Sequence, residues 1–199
     1  MTLYLVRHGD KEPGIFRRAG FPHNDQPLSD TGLLEAGRLR GYFRWRRIES
    51  VYVSEYSRTL QTVEGICEDQ GISPLTTGLL NEIDTGVFEF GAPEDLALRY
   101  PEIWREYDKP GHRTDFRYPE GESGEDVFAR IDAFFSLMEK EGKDCLAAAH
   151  DGWIRLALCR VLGLPTSSRF FFSVDTCGIA ELERNRDGWK IIRFNHYLE

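Results

Sequence analysis

Four stretches of the chain carry residue types that handle a phosphate group. In "LYLVRHGD" (3–10) an apolar run ends in Arg7, His8 and Gly9. A neutral imidazole is a competent nucleophile toward phosphorus when one ring nitrogen is held by an acceptor and the other is free. Nearby arginines such as Arg7 would hold the phosphate and, by their charge, disfavour the imidazolium. The plainer reading of His8 is a strand-end cap. "VYVSEYSRTLQT" (51–62) puts Ser54, Ser57 and Arg58 directly after a second apolar run, where a helical pattern starts. A helix N-terminus attracts anions and disfavours a cation, so Arg58 makes sense there beside a bound phosphate; otherwise it pairs with Glu55 on the surface. "LLNEIDTGVFEFG" (79–91) sets Glu82 and Asp84 in an apolar segment. A carboxyl against an apolar wall stays protonated and can act as a general acid, whereas the alternative is a pair of ordinary loop carboxylates. "AAAHDGWIR" (147–155) ends another apolar run in His150, a donor for a phosphoryl oxygen, with Asp151 as the simplest N-cap of the helix that follows.

These groups work together only if the chain gathers them, and the pattern of elements does so. Apolar runs at 2–8, 50–54 and 144–150 read as buried strands. They alternate with helical patterns. One lies in 27–45, capped by Ser29 or Asp30, with Leu33, Leu34, Leu39 and Phe43 at helical spacing; others run to stops at Gly71, Gly142 and Gly163. Two late strands follow, within 170–183 and 189–195, joined by a turn from Asn185 to Gly188. Alternation of strand and helix predicts a largely parallel sheet covered on both faces, with an antiparallel edge near the C-terminus. Ligands in such sheets sit outside the carboxyl ends of the strands, where the runs ending in His8 and His150 both finish. Residues 92–121 break the rhythm with Pro93, Pro101, Pro110 and Pro119 and the aromatic group Trp104, Tyr107, His112, Phe116 and Tyr118. They read as a helical and irregular insertion folded over the site, within one domain spanning 1–199.

The 199 residues suffice for one domain with a proper core, and a hydrophobic fraction of 41% is that of a globular chain. A formal net charge of −8 argues against a general binder of nucleic acid or anionic membrane. Lysines are few and arginine dominates the cations, including Arg99, Arg105, Arg113 and Arg117 scattered through the insertion. Cys67, Cys145, Cys159 and Cys177 are widely spaced, which fits reduced, buried thiols rather than disulfides or a zinc site. With no cleavage pattern near the start and no apolar run of membrane-spanning length, a cytoplasmic protein is expected.

Taken in order, "LVRHG", "PLSDTG…EAGR", "VYVSEYSRTLQT", "NEIDTGVFE", "PEGES" and "HDGWIR" resemble the histidine phosphatase superfamily, in its phosphoglycerate mutase-like branch, from about residue 3 to 196. The resemblance implies a three-layer α/β/α sandwich. It implies a phosphohistidine at His8, phosphoryl oxygens clamped by Arg7, Arg58 and His150, and Glu82 as proton donor to the leaving oxygen. No cofactor is implied, and the two arginines and the histidine supply the charge a phosphoryl-transfer transition state needs without a metal. Two positions depart from the pattern, and two arginines lie close to one of its contacts. Gly14 stands where many members carry asparagine, Asp151 where this branch has glycine, and Arg17 and Arg18 lie near the place of a substrate-contacting basic residue. One of the latter two is expected to reach the phosphate or a second anionic group. The expected function is hydrolysis of a small phosphate ester, of sugar phosphate or α-ribazole phosphate type. The alternatives are a mutase-type phosphotransferase, a phosphohistidine protein phosphatase and a non-catalytic phosphate binder.

Overall fold

A computed structural model describes residues 1–109, 111 and 114–196; His112 and Arg113 of the expected insertion lie outside the described residues. Six strands form one sheet: β1 (Thr2–Arg7), β2 (Ser50–Val53), β3 (Leu75–Thr76), β4 (Cys145–Ala149), β5 (Ile179–Asn185) and β6 (Gly188–His196), in the order β3-β2-β4-β1-β5-β6. β1, β2, β3 and β4 run parallel, and β5 and β6 add the antiparallel edge. The helices are α1 (Asp30–Phe43), α2 (Ser57–Gln70), α3 (Pro93–Arg99), α4 (Pro101–Tyr107), α5 (Gly124–Glu141) and α6 (Asp151–Leu162). Among the described residues no helix is long and apolar enough to cross a membrane.

The core lies on both faces of β4, whose five residues are all buried. Cys145, Ala147 and Ala149 join Leu3, Leu5, Phe134 and Trp153 on one face, while Leu146 and Ala148 join Val51, Val53, Val63 and Phe43 on the other. This alternation is the period-2 geometry of a strand buried on both sides, and it makes the architecture a three-layer sandwich with α5 and α6 on one side and α1 and α2 on the other. The small side chains of β4 let both helical layers approach the sheet closely. All four cysteines are free and buried.

Two expectations need correction. Leu39 and Phe43 of α1 are buried, but Leu33 and Leu34 are 53% and 69% exposed. The buried face begins with Gly32 instead, because a Cβ there would lie 2.0 Å from the carbonyl oxygen of Asp10. That close approach of α1 to the loop after His8 turns the two leucines outward. The strand expected from residue 170 starts only at Ile179; Thr166–Phe171 forms a 3₁₀ turn, and Cys177 sits at φ 53°. Its N–H donates to the carbonyl of Arg7 at 3.1 Å, so this segment serves the end of β1 rather than extending β5. In the insertion, Trp104, Tyr107 and Tyr118 gather around the ring of Phe88, a packing role that fixes α4 to the segment following Glu82.

Candidate active site

The register of β1 with β4 pairs Arg7 with Ala149, and the N–H of His8 donates to the carbonyl of Ala149 at 3.0 Å. The next residues, His8 and His150, therefore leave the sheet side by side, with ring centroids 5.1 Å apart. His8 is 5% exposed, and its Nδ1 lies 2.7 Å from the carbonyl oxygen of Gly9. A carbonyl only accepts, so Nδ1 carries the proton and Nε2 keeps a free lone pair. Burial, with the charges of Arg58 and Arg7 behind it, lowers the imidazole pKa to about 3 despite the Gly9 bond, which keeps the ring neutral at ordinary pH.

Arg58, in the first turn of α2, is 4% exposed and does not pair with Glu55. Its guanidinium lies 4.2 Å over the Tyr56 ring, and Nη1 donates to the carbonyl of Asn24 at 3.4 Å. Its Nε is buried with no partner, as is the Nε of Arg7, whose Nη1 donates to the carbonyl of Val174 at 2.5 Å. Two buried, unpaired guanidinium N–H groups beside a neutral imidazole form a site that an anion would complete.

His150 is wholly buried, and its two ring nitrogens face Arg58 and Ser54. Arg58 Nη2 donates to its Nδ1 at 3.3 Å, so the proton sits on Nε2 and is given to Ser54 Oγ at 2.8 Å. In this arrangement His150 holds Arg58 in place. A direct bond from Nδ1 to a phosphoryl oxygen requires Arg58 to turn to the phosphate and the ring to change tautomer, which the Ser54 hydroxyl can serve because it donates as well as accepts.

Glu82 lines a cavity of about 230 Å³ together with Arg58, Lys11, His23, Asn24 and Tyr56. The apolar wall expected around its carboxyl is replaced by peptide donors: Gly152 N–H at 3.2 Å and Trp153 N–H at 3.1 Å, from the first turn of α6. A Cβ on residue 152 would lie 2.6 Å from Glu82 Oε1, so only glycine admits this contact. Arg130 on α5 fixes the segment before it, donating to the carbonyls of Leu79 and Asn81 at 3.0 Å each while pairing with Glu122. Asp151 is the first residue of α6 rather than its N-cap, a place taken by His150. Its carboxylate turns back along the helix to Arg155 at 2.9 Å, which offsets the negative charge that would repel a phosphate.

Arg17 and Arg18 are held by protein groups. Arg17 stacks on Phe90 at 4.4 Å, and Arg18 pairs with Asp25 at 3.2 Å and donates to the carbonyl of Glu55 at 2.6 Å. The cations that line the cavity beyond Arg58 are Lys11 and His23, which the sequence reading missed. Lys11 has its pKa lowered by burial and by Arg58, and its Nζ donates to Gln26 Oε1 at 3.0 Å. The signal for Lys11 was its position three residues after His8, on the same loop.

His23 Nδ1 lies 3.0 Å from Glu89 Oε2, and Asp84 is 3.9 Å away. Among the described residues these three could together hold a metal ion, but Glu89 already accepts from His23 with one oxygen and from Asn24 N–H with the other. The trio thus clamps the 11–24 loop onto the segment after Glu82. The bond to Glu89 raises the His23 pKa above 6.5 against the effect of burial. A histidine that binds its proton more tightly when folded stabilises the fold below the unfolded pKa, and that contribution is lost as pH rises through the folded value. The melting temperature of the wild type should therefore fall relative to that of His23→Gln as pH rises from about 6 to 8.5. A difference that stays constant with pH would show that the pair does not titrate there.

The sequence profile of the histidine phosphatase superfamily (branch 1) matches residues 3–196. Mouse 6-phosphofructo-2-kinase/fructose-2,6-bisphosphatase 1 is 33% identical over 163 residues, which are 81% of this chain and 32% of that protein, so the chain spans about a third of such relatives. The probable phosphoglycerate mutase GpmB of Yersinia pestis is 28% identical over 193 residues, 95% of this chain and 87% of its own. A solved structure of a putative alpha-ribazole-5'-P phosphatase from Escherichia coli K-12 has the same fold, with a TM-score of 0.81 at 22% identity over 98% of this chain and 96% of that one. A profile match over nearly the whole length, on a fold that brings Arg7, His8, Arg58, Glu82 and His150 to one end of the sheet, means that the chain belongs to branch 1 of the histidine phosphatase superfamily.

Proposed function

We propose that the protein is a metal-independent phosphomonoesterase that hydrolyses a small phosphorylated metabolite through a phosphohistidine at His8. The observation that carries this reading is the fixed Nδ1–H tautomer of His8 beside the unpaired Nε–H groups of Arg7 and Arg58. In the first step the Nε2 lone pair attacks phosphorus, the ester P–O bond breaks, and the proton carried by the phosphate monoanion passes through the Glu82 carboxyl to the leaving oxygen. In the second, water attacks phosphorus, Glu82 takes the proton, and the P–N bond breaks to return neutral His8 and release phosphate. Arg7 and Arg58 carry the charge on the equatorial oxygens, and the Gly9 carbonyl stabilises the ring as positive charge develops on it.

The cavity wall of Lys11, His23, Asn24 and Gln26 suits a polar leaving group of sugar phosphate or α-ribazole phosphate type. A second reading, a substrate with two anionic groups, is supported by Lys11 and His23, which extend positive charge outward from Arg58. Phosphate release in excess chelator, from an aryl phosphate, sugar monophosphates, sugar bisphosphates and phosphoglycerates, tests both. Chelator-insensitive turnover is expected, and the ratio of kcat/KM for bisphosphates to that for monophosphates separates the readings. Turnover that chelator removes would overturn the metal-independent route.

A further inference from the structure

Tyr56, in the turn between β2 and α2, has its ring held by four neighbours. The Arg58 guanidinium lies 4.2 Å over its face. His150 and Phe21 meet it edge-on, with ring centroids 4.7 and 4.9 Å away, and His23 stacks on it at 5.7 Å. The residue is 4% exposed, yet it lines the cavity shared by Arg58 and Glu82. Among the described residues nothing hydrogen-bonds its hydroxyl. The carboxylates whose charge reaches it are engaged elsewhere: Glu89 accepts from His23 and the Asn24 N–H, and Glu82 from the N–H groups of Ile83, Gly152 and Trp153. A hydroxyl taken out of water without a partner costs stability, and this ring cannot swing it away without breaking its four contacts. Burial and the charges of Glu89, Glu82 and Asp84 raise the phenol pKa above 10 against the effect of Arg58, so the group is a donor at any working pH.

On the phosphomonoesterase reading, which this inference rests on and narrows, we propose that the Tyr56 hydroxyl is a specificity-determining group. It donates a hydrogen bond to a hydroxyl oxygen of the leaving group, so that the site selects a polyol or sugar phosphate over a plain alkyl phosphate. With the phosphoryl group on His8, Arg7 and Arg58, the leaving group extends toward Glu82, which serves the leaving oxygen. The phenol stands on that side, under the charges of Glu89, Glu82 and Asp84. These carboxylates outnumber Arg58, and His23 is already paired with Glu89, so the surroundings suit a neutral acceptor better than a second phosphate. An alkyl ester of the same length fills the same space but cuts the phenol off from water and leaves it unpaired. A site built to bond one substrate oxygen discriminates most strongly against the analogue that lacks it.

Matched esters test the proposal: glycerol 1-phosphate, ribose 5-phosphate and glucose 6-phosphate, beside propyl, pentyl and hexyl phosphate respectively. Tyr56→Phe removes the oxygen and keeps the ring with its four contacts. It should lower kcat/KM about tenfold for the hydroxylated member of at least one pair, while the alkyl member changes by less than about twofold. Inhibition by inorganic phosphate should be unchanged, since Arg7 and Arg58 keep their places. The melting temperature should not fall, since the hydroxyl has no protein partner to lose. Calorimetric binding of the same esters to His8→Ala, with and without Tyr56→Phe, repeats the comparison in the absence of turnover. Equal losses within every pair, weaker inhibition by phosphate, or a lower melting temperature would assign the hydroxyl to Arg58 or to the fold. Any of these overturns the proposal and leaves the phosphatase reading intact. A wild type that cleaves none of the esters yet keeps the binding difference would sink the phosphatase reading and leave the hydroxyl contact standing.

Discussion

His8→Ala should lower phosphate release from an aryl phosphate by about 10⁴-fold or more, with the folded state retained. The size of the loss follows from the covalent role. Without Nε2 there is no protein atom to accept the phosphoryl group, and the remaining cations can only assist direct attack by water. The side chain makes one local bond, to the carbonyl of its neighbour Gly9, so its removal leaves β1, its pairing with β4 and the Arg58–His150 contact in place. The vacated volume borders the phosphate site, where water or phosphate can fill it. The wild type, mixed rapidly with substrate and quenched in base, should carry a phosphoryl group that is lost in acid, as the P–N bond of a phosphohistidine is. His8→Ala should carry none. A variant that retains wild-type turnover would place the chemistry elsewhere, and an adduct that survives acid would point to a hydroxyl ester instead.

The residues that make this prediction possible were legible because their positions are tied to regular elements. His8 and His150 follow strands whose apolar runs are unmistakable, and parallel pairing in register forces them together. Arg58 was legible as a cation in the wrong place for a helix dipole. What escaped the sequence lies in segments whose conformation is decided at long range. Lys11 and His23 line the cavity because Glu89, sixty-six positions from His23 in the chain, clamps their loop. Arg130 stands in the middle of an amphipathic helix like any half-exposed arginine, and only the fold shows it holding the carbonyls that lead to Glu82. Leu33 and Leu34 fit a helical period as core residues, yet the tight contact of Gly32 with Asp10 rotates them to solvent. Periodicity gives the angle between residues on a helix; the phase of the buried face was set by a glycine that carries no hydropathy signal.

Glu82→Gln separates the chemistry of the carboxyl from its structural duties. The glutamine oxygen can still accept from the α6 N-terminus, but its amide nitrogen cannot replace the oxygen that faces the second of the Gly152 and Trp153 N–H groups. Some loss of stability is therefore expected whatever the catalytic role, and a uniform fall in activity would say little. General acid catalysis matters in proportion to the basicity of the leaving oxygen. An alkyl phosphate, whose leaving alkoxide needs a proton, should lose about 10² to 10⁴-fold in kcat/KM, while an aryl phosphate with an electron-poor ring, which leaves as a stable phenolate, should lose far less in the first step. Asp151→Asn provides the contrast. Its carboxylate is engaged by Arg155 and sits one residue beyond His150, so the substitution should affect both substrates similarly. If the leaving-group dependence appears in the Asp151 variant and not in the Glu82 variant, the proton comes from the start of α6 and the role assigned to Glu82 moves there.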